Sequence, residues 1–245
     1  VEVENLSMSS IWRLVISQLA KTLPSKVLIL MIHAKIFLVG KPEMDKEFQA
    51  ADLDKEIVPG QTVVEIGANI GGLTVFLSQL VGVNGKIICF EPNPIAFSLL
   101  TKNTKGLRNV SCYNLAVGRK STEDQMVGNH PTDTYFSRFK TTTNYKFAFR
   151  VKVVSLDEFL SSKSRKVDWL VIDAEGAELD ILKGSRNIIS SMKPKMFVET
   201  HPYLVPGIDL AVVGYLEKYG YSSQTVSQDR GLVTFKFIPN FRGPA

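Results

Sequence analysis

The 245-residue sequence has only two cysteines and no C-x-x-C pair, which argues against a disulfide framework. Cys89 and Cys112 sit in strand-like apolar runs and are expected to be free thiols in a reducing compartment. No internal repeat or low-complexity tract interrupts the chain, so a collagen-like or disordered polymer is excluded. No apolar run is long enough to cross a bilayer. The longest, VLILMIHAKIFLV at residues 27–39, is broken by His33 and Lys35 and falls short of the ~20 residues a span needs. It reads better as an amphipathic or core-docked helix. Nor is charge of one sign concentrated: the formal net charge is +5, with Lys and Arg scattered rather than gathered as in a dedicated nucleic-acid binder. No secretory signal is visible, and a cytoplasmic location is expected.

What is present is an ordinary globular composition, 44% hydrophobic and 22% charged, in a chain long enough for one α/β domain. Residues 1–56 read as an N-terminal helical cap. Leu6, Ile11, Leu14, Val15 and Leu19 fall near helical spacing, Pro24 breaks that helix, and residues 43–56 form a charged helical pattern before Val58-Pro59-Gly60. From residue 57 onward strands and helices alternate. TVVEIG, KIICFEP, NVSCYNLAVG, VDWLVID and KMFVET are short apolar runs separated by helical stretches, the pattern of a parallel sheet covered on both faces. The last two runs, YSSQTVS and GLVTFKFI, are separated only by Gln228-Asp229-Arg230-Gly231, too short for a crossover helix. They must form an antiparallel hairpin. The expected fold is α/β, a doubly wound, mostly parallel seven-stranded sheet with a C-terminal antiparallel hairpin.

EIGANIGG, residues 65–72, lies between a strand and a helix, where a phosphate-binding G-x-G-x-x-G turn would lie. Gly67 and Gly72 match that pattern, but Asn69 replaces the middle glycine that lets a pyrophosphate approach the backbone. Asn tolerates a left-handed conformation but adds a side chain, so a ligand without a pyrophosphate fits more easily. Glu65 would offer an acceptor to a cationic or amine-bearing ligand. Glu91, at the end of the second strand, is suited to accept both ribose hydroxyls of a nucleoside, which disfavours NADP and leaves NAD as a competitor.

VPGQTVVEIGANIGGLTVFLS, GKIICFEPNP, NVSCYNLAVG, VDWLVIDAEGAELDILKG and VETHP together resemble the class I S-adenosylmethionine-dependent methyltransferases, and more closely the FkbM family. The IDxEGAExxxLKG segment carries most of that resemblance, which covers roughly residues 57–202 within a domain read as 57–245. It implies a Rossmann-like methyltransferase fold and S-adenosylmethionine as cofactor. Glu65, Gly67, Ala68, Asn69 and Gly71 would surround its methionine part, and Glu91 its ribose. Pro92 and Asn93 would flank the adenine, with Ala116 and Val117 on the other side.

Methyl transfer to a hydroxyl also needs a group to take the hydroxyl proton. The candidates stand at the C-terminal strand ends, where open α/β sheets place ligands. They are Asp173, which would touch cofactor or substrate, Glu175 and, more weakly, Glu178, whose acid suits a helix start. Glu199 and His201 end the next strand, and His201 is the best base because an ordinary imidazole titrates near neutral pH. Asp173, Glu199 and His201 could also hold a hard cation such as magnesium, but the spacing is not diagnostic, and the reading commits to no metal.

Residues 119–150 show no regular period. They interleave Arg138, Lys140, Lys146 and Arg150 with Tyr135, Phe136, Phe139, Tyr145 and Phe147. They read either as an acceptor-binding lid or as a hairpin packed beside the sheet. DAEG stands after the Asp173 strand in place of the NPPY of base-amine methyltransferases, so a nucleobase amine is disfavoured as acceptor. The expected activity is methyl transfer to an oxygen of a sugar or other small metabolite, with an anionic acceptor as one form to test. The alternatives are an NAD-dependent oxidoreductase, or a cofactor-binding module that contacts RNA or protein through residues 119–150. His33 and His130 have no visible partner in sequence and read as ordinary surface or packing residues.

Overall fold

A computed structural model describes residues 53–130, 133–136, 145–161, 166–229 and 231–240. The chain divides into two compact units, Val1–Lys46 and Glu47–Ala245. All described residues belong to the second; the helices expected within residues 1–52 lie outside them. Helix α1 (Leu53–Glu56) opens the described part. Its Leu53 is fully buried in one core cluster with Ile57, Val63, Leu77 and Trp169. Glu56 holds Lys195 (2.7 Å) and Lys236 (2.8 Å).

The strands of the main sheet are β1 (Thr62–Ile66), β2 (Lys86–Phe90), β3 (Val110–Tyr113), β8 (Trp169–Asp173), β9 (Lys195–Thr200), β10 (Tyr221–Asp229) and β11 (Leu232–Pro239). Their order is β10-β11-β9-β8-β1-β2-β3. The pairs β9/β8, β8/β1, β1/β2 and β2/β3 are parallel. Strand β11 runs antiparallel to both β9 and β10, so the expected hairpin closes the sheet. All five residues of β1 are buried, as a central parallel strand covered on both faces requires. Helices α2 (Gly72–Val81) and α3 (Pro94–Asn103) make the β1–β2 and β2–β3 crossovers. The chain order then jumps from β3 to β8 on the other side of β1. The C-terminal end of β1 is therefore a topological switch point, where such sheets bind ligands.

Residues 109–118 do not form one strand. The run breaks at Asn114-Leu115, and β4 (Ala116–Val117) enters a second sheet with β5 (Thr122–His130), β6 (Asp133–Phe136) and β7 (Phe147–Val154). The lack of a regular period in residues 119–150 conceals strands, and of the two readings the hairpin beside the sheet is the one matched: β5, β6 and the start of β7 lie in this second sheet, ordered β4-β7-β5-β6, with β5 antiparallel to both its neighbours. It was obscure in sequence because β5, TEDQMVGNH, carries only Met126 and Val127 as apolar side chains. Met126, Val151 and Val153 bury into the core cluster that also holds Ile172 and Val198. Helix α4 (Leu156–Leu160) follows, its N-terminus capped by Ser155, whose Oγ accepts from Glu158 N (3.3 Å). Helices α5 (Glu178–Lys183), α6 (Arg186–Met192) and α7 (Ile208–Glu217) complete the layers. Cys89 and Cys112 are thiols on paired strands, with Sγ atoms 3.2 Å apart.

Candidate active site

The Gly-rich turn after β1 is shaped by three positive-φ residues, Gly67 (φ +90°), Asn69 (φ +48°) and Gly71 (φ +88°). Gly67 N and Ala68 N both donate to Phe90 O at 3.0 Å, which lays the turn across the end of β2. A Cβ on Gly67 would sit 1.7 Å from the backbone oxygen of Asp173, so only glycine allows the ends of β1 and β8 to approach.

The turn reaches Glu91. Asn69 N donates to Glu91 Oε2 and Asn93 N to Glu91 Oε1, each at 2.8 Å. Glu91 is buried, and that burial pushes its carboxyl up to about 7 against the two backbone hydrogen bonds. Asn93 caps α3 through Oδ1, which accepts from Ile95 N and Ala96 N, and Pro94 supplies the preset first helical residue. Asn114, absent from the sequence-based site, donates from Nδ2 to Glu91 O (2.8 Å) and Pro92 O (3.0 Å). These bonds fix Glu91-Pro92-Asn93 and explain the break in the third strand-like run. Glu65 is buried beneath α2, where Thr74 Oγ1 donates to its Oε2 at 2.7 Å, and burial pushes its carboxyl up to about 8. Ala116 and Val117 are buried in β4 opposite Val153 and Val154.

A second cluster stands at the ends of β8 and β9, where Asp173 and Glu199 are register partners. His201 is 1% exposed. Its Nε2 lies 3.5 Å from Asp173 Oδ1, 3.6 Å from Glu175 Oε2 and 3.6 Å from Glu199 Oε1. Its Nδ1 lies 2.7 Å from Oε1 of Glu178, a fully buried side chain. That oxygen also accepts Gly176 N (2.9 Å), and because a carboxylate only accepts, the tautomer that fits carries its proton on Nδ1. Glu175 (φ +48°) and Gly176 (φ +97°) form the tight turn that brings Glu178 back to the strand ends.

The premise that His201 is an ordinary imidazole is corrected. Burial disfavours its charge, but the Glu178 hydrogen bond and the charges of Glu178, Asp173 and Glu175 outweigh it and raise the ring to about 9. Glu178, read from sequence as a helix-dipole acid, is the residue that orients it. Asp173 side-chain exposure is 52%, which makes it the accessible carboxylate of the group. The ligand atoms of Asp173, Glu199 and His201 all lie within 4.8 Å of one another.

Of the basic and aromatic residues singled out in 119–150, Lys146 and Arg150 are exposed and Tyr145 and Phe147 are half-buried. Phe147 stacks on Phe149 with ring centroids 6.4 Å apart. Arg138, Phe139 and Lys140 lie outside the described residues; Tyr135 and Phe136 are placed in β6 by their backbone. His130 ends β5, and His33 lies outside the described residues. No described helix is long and apolar enough to cross a membrane.

The sequence profile described as Methyltransferase FkbM domain matches residues 65–223. Methyltransferase 1 of Beauveria bassiana is 28% identical over 185 residues, covering 65% of this chain and 68% of that protein. The hexuronic acid methyltransferase AglP of Haloferax volcanii is 27% identical over 143 residues, 58% of this chain and 56% of its own. Among solved structures, methyltransferase FkbM from Methylobacillus flagellatus superposes with a TM-score of 0.52 at 20% identity, over 73% of this chain. Only 43% of that crystallised chain is matched. Aeropyrum pernix fibrillarin, solved with natively bound S-adenosyl-L-methionine, superposes with a TM-score of 0.51 at 13% identity, over 78% of this chain and 74% of its own. These two share the fold: a mostly parallel seven-stranded sheet with antiparallel C-terminal strands.

Proposed function

The chain belongs to the FkbM methyltransferase family, and from that premise we propose that it transfers a methyl group from S-adenosylmethionine to a hydroxyl oxygen of a sugar or similar small metabolite. The observation that carries this reading is the pair of sites at the C-terminal ends of the central strands. One is a buried carboxylate on a Gly-rich turn; the other is a carboxylate–imidazole cluster beside it in the sheet.

The first site fits the cofactor. Glu91 accepts one backbone N–H on each oxygen, and a carboxylate has about four acceptor positions, so two remain for a vicinal diol. The backbone of Gly67, Ala68, Asn69 and Gly71 would surround the methionine end. Glu65 would support it from below through Thr74, since its carboxyl is buried there. Pro92 and Asn93 would flank the adenine, and Ala116 and Val117 would close its far side. When bound, the cofactor supplies a sulfonium-activated methyl group, so positioning is most of the task left to the protein.

The second site fits a hydroxyl acceptor, which must lose a proton as it is methylated. Asp173 and Glu175 are the candidate proton acceptors, and His201 orients and charge-balances them. With no cation bound, the surrounding carboxylates favour the protonated ring of His201, which puts the carboxylates ahead of it as the base; a cation at Nε2 would displace that proton. A sugar acceptor is supported by the hexuronic acid methyltransferase relative.

Calorimetry with S-adenosylhomocysteine and with NAD tests the cofactor: binding of NAD but not S-adenosylhomocysteine overturns the reading. Transfer of labelled methyl to uronic acid glycosides tests the acceptor atom. An ether is stable to alkali and an ester is not, so alkali-labile label rules out a hydroxyl as acceptor.

A further inference from the structure

The geometry points to a divalent-cation site in which His201 Nε2, Asp173 and Glu199 are the protein ligands. Three independent features converge on it. Glu199 and His201 are two residues apart at the end of an extended strand and so share a face, while Thr200 between them donates to Val233 O (2.7 Å). Asp173 is the register partner of Glu199 on the neighbouring strand. The third feature is the histidine itself, buried and with its ring fixed from behind by Glu178 at 2.7 Å. Metal-bound histidines are held in this way, by a carboxylate on the nitrogen that faces away from the ion.

The distances at Nε2 are more apt for shared ligation than for hydrogen bonding. A charge-assisted N–H···O bond is about 2.7–2.9 Å long. The carboxylate oxygens of Asp173, Glu175 and Glu199 stand at 3.5–3.6 Å, and Nε2 makes no hydrogen bond among the described residues. Around an ion with bonds of about 2.1 Å, neighbouring ligand atoms are about 3.0 Å apart in an octahedron and about 3.4 Å apart in a tetrahedron. The two Nε2–carboxylate distances need to close by only a few tenths of an ångström, and all three ligand atoms already lie within 4.8 Å of one another. Glu175 Oε2 stands at the same distance but also accepts from Tyr203 Oη (2.9 Å), so it borders the site.

The donor set selects the ion. One imidazole nitrogen with two carboxylates suits a first-row transition ion such as Mn²⁺ or Zn²⁺ better than Mg²⁺, which prefers oxygen alone. This inference rests on the proposed reading in one respect, that the acceptor hydroxyl reaches this cluster. The ion would take the hydroxyl oxygen in an open position and make its proton easier to lose. The proton leaves to a carboxylate or solvent, the oxygen gains the C–O bond, and sulfur keeps the electron pair of the S–C bond that breaks.

The test uses chelator-treated protein without cofactor or acceptor. Mn²⁺ titration followed by electron paramagnetic resonance should show one site per chain. Pulsed spectra should carry ¹⁴N modulation from a bound imidazole. Asp173→Asn, at an exposed side chain that should leave folding intact, should weaken binding at least tenfold, and His201→Gln should remove the ¹⁴N modulation. Absence of ¹⁴N modulation in the unaltered protein, or unchanged affinity in Asp173→Asn, overturns the site. Failure to bind S-adenosylhomocysteine would overturn the methyl-transfer reading while leaving Mn²⁺ binding intact, so the two fail separately.

Discussion

His201 Nδ1 donates to Glu178 Oε1 across 2.7 Å, although the two residues come from different elements and both are buried. A buried ion pair is costly to leave half-made. The pair therefore fixes one ring orientation and presents Nε2 to the exposed end of the sheet.

Glu178→Gln removes the charge but keeps an oxygen for Gly176 N. In metal-free protein the His201 ring, raised to about 9 by Glu178 and its neighbours against the opposing pull of burial, should then titrate at least one pH unit lower. The histidine C2 proton in NMR reads this directly. Methyl transfer should fall about 10- to 100-fold. An unmoved titration would show that Glu178 does not set the state of the ring.

On the proposed reading, in which Glu91 holds the cofactor ribose, cofactor binding should depend on pH. The Glu91 carboxyl, pushed up to about 7 by burial, must be ionised to accept two further hydroxyls. Affinity for S-adenosylhomocysteine should therefore rise from pH 6 to pH 8. Calorimetric heats at pH 6.5 should vary with the buffer's ionisation enthalpy, because binding releases a proton. Glu91→Gln should bind roughly tenfold more weakly, with no such pH dependence.

Glu65 makes folding pH-dependent in the direction of a raised carboxyl. Below its unfolded value of 4.5 the acid is protonated in both states and its stabilising contribution is complete. As pH rises toward about 8 the unfolded chain ionises first, and that contribution is lost. Glu65→Gln mimics the protonated acid against Thr74. It should match the unaltered protein in Tm at pH 4.5 and exceed it at pH 9, by about 2–4 °C for each kcal/mol relieved. Equal melting temperatures at both pH values would remove Glu65 as the source.

Two glycines with nearly the same φ separate backbone strain from collision. Gly60 (φ +91°) has nothing within 4 Å of an added Cβ, so Gly60→Ala should cost about 1 kcal/mol. Gly67 (φ +90°) would meet Asp173 O at 1.7 Å, so Gly67→Ala should cost more than about 3 kcal/mol or prevent folding. Urea unfolding of both variants decides this, and equal losses would show that β1 and β8 do not approach as described.

Features encoded within a short stretch of chain were legible in the sequence. The apolar runs of β1, β2, β8 and β9 announce a buried parallel sheet, and the Gln228-Asp229-Arg230-Gly231 link permits only a hairpin. Gly67, Asn69 and Glu91 stand out because a strand, a turn and a strand end follow in order. The Glu178–His201 bond was not legible: the residues are 23 positions apart, and only the Glu175-Gly176 turn brings them together. Asn114 looked like strand interior because nothing local reveals that its amide serves the carbonyls of Glu91 and Pro92. The second sheet was hidden by a polar strand whose burial comes from its partners.

The insertion of β11 between β9 and β10 also sets the timetable of synthesis. Until residues 232–239 leave the ribosome, β9 is an open edge, and Thr200 lacks the Val233 carbonyl that holds it. The turn around Glu91 needs only sequence made much earlier. In a nascent chain, then, the turn around Glu91 can take shape long before β9, which leads into His201, is pinned. The cluster of Asp173, Glu199 and His201 is therefore completed only after residues 232–239 have been made.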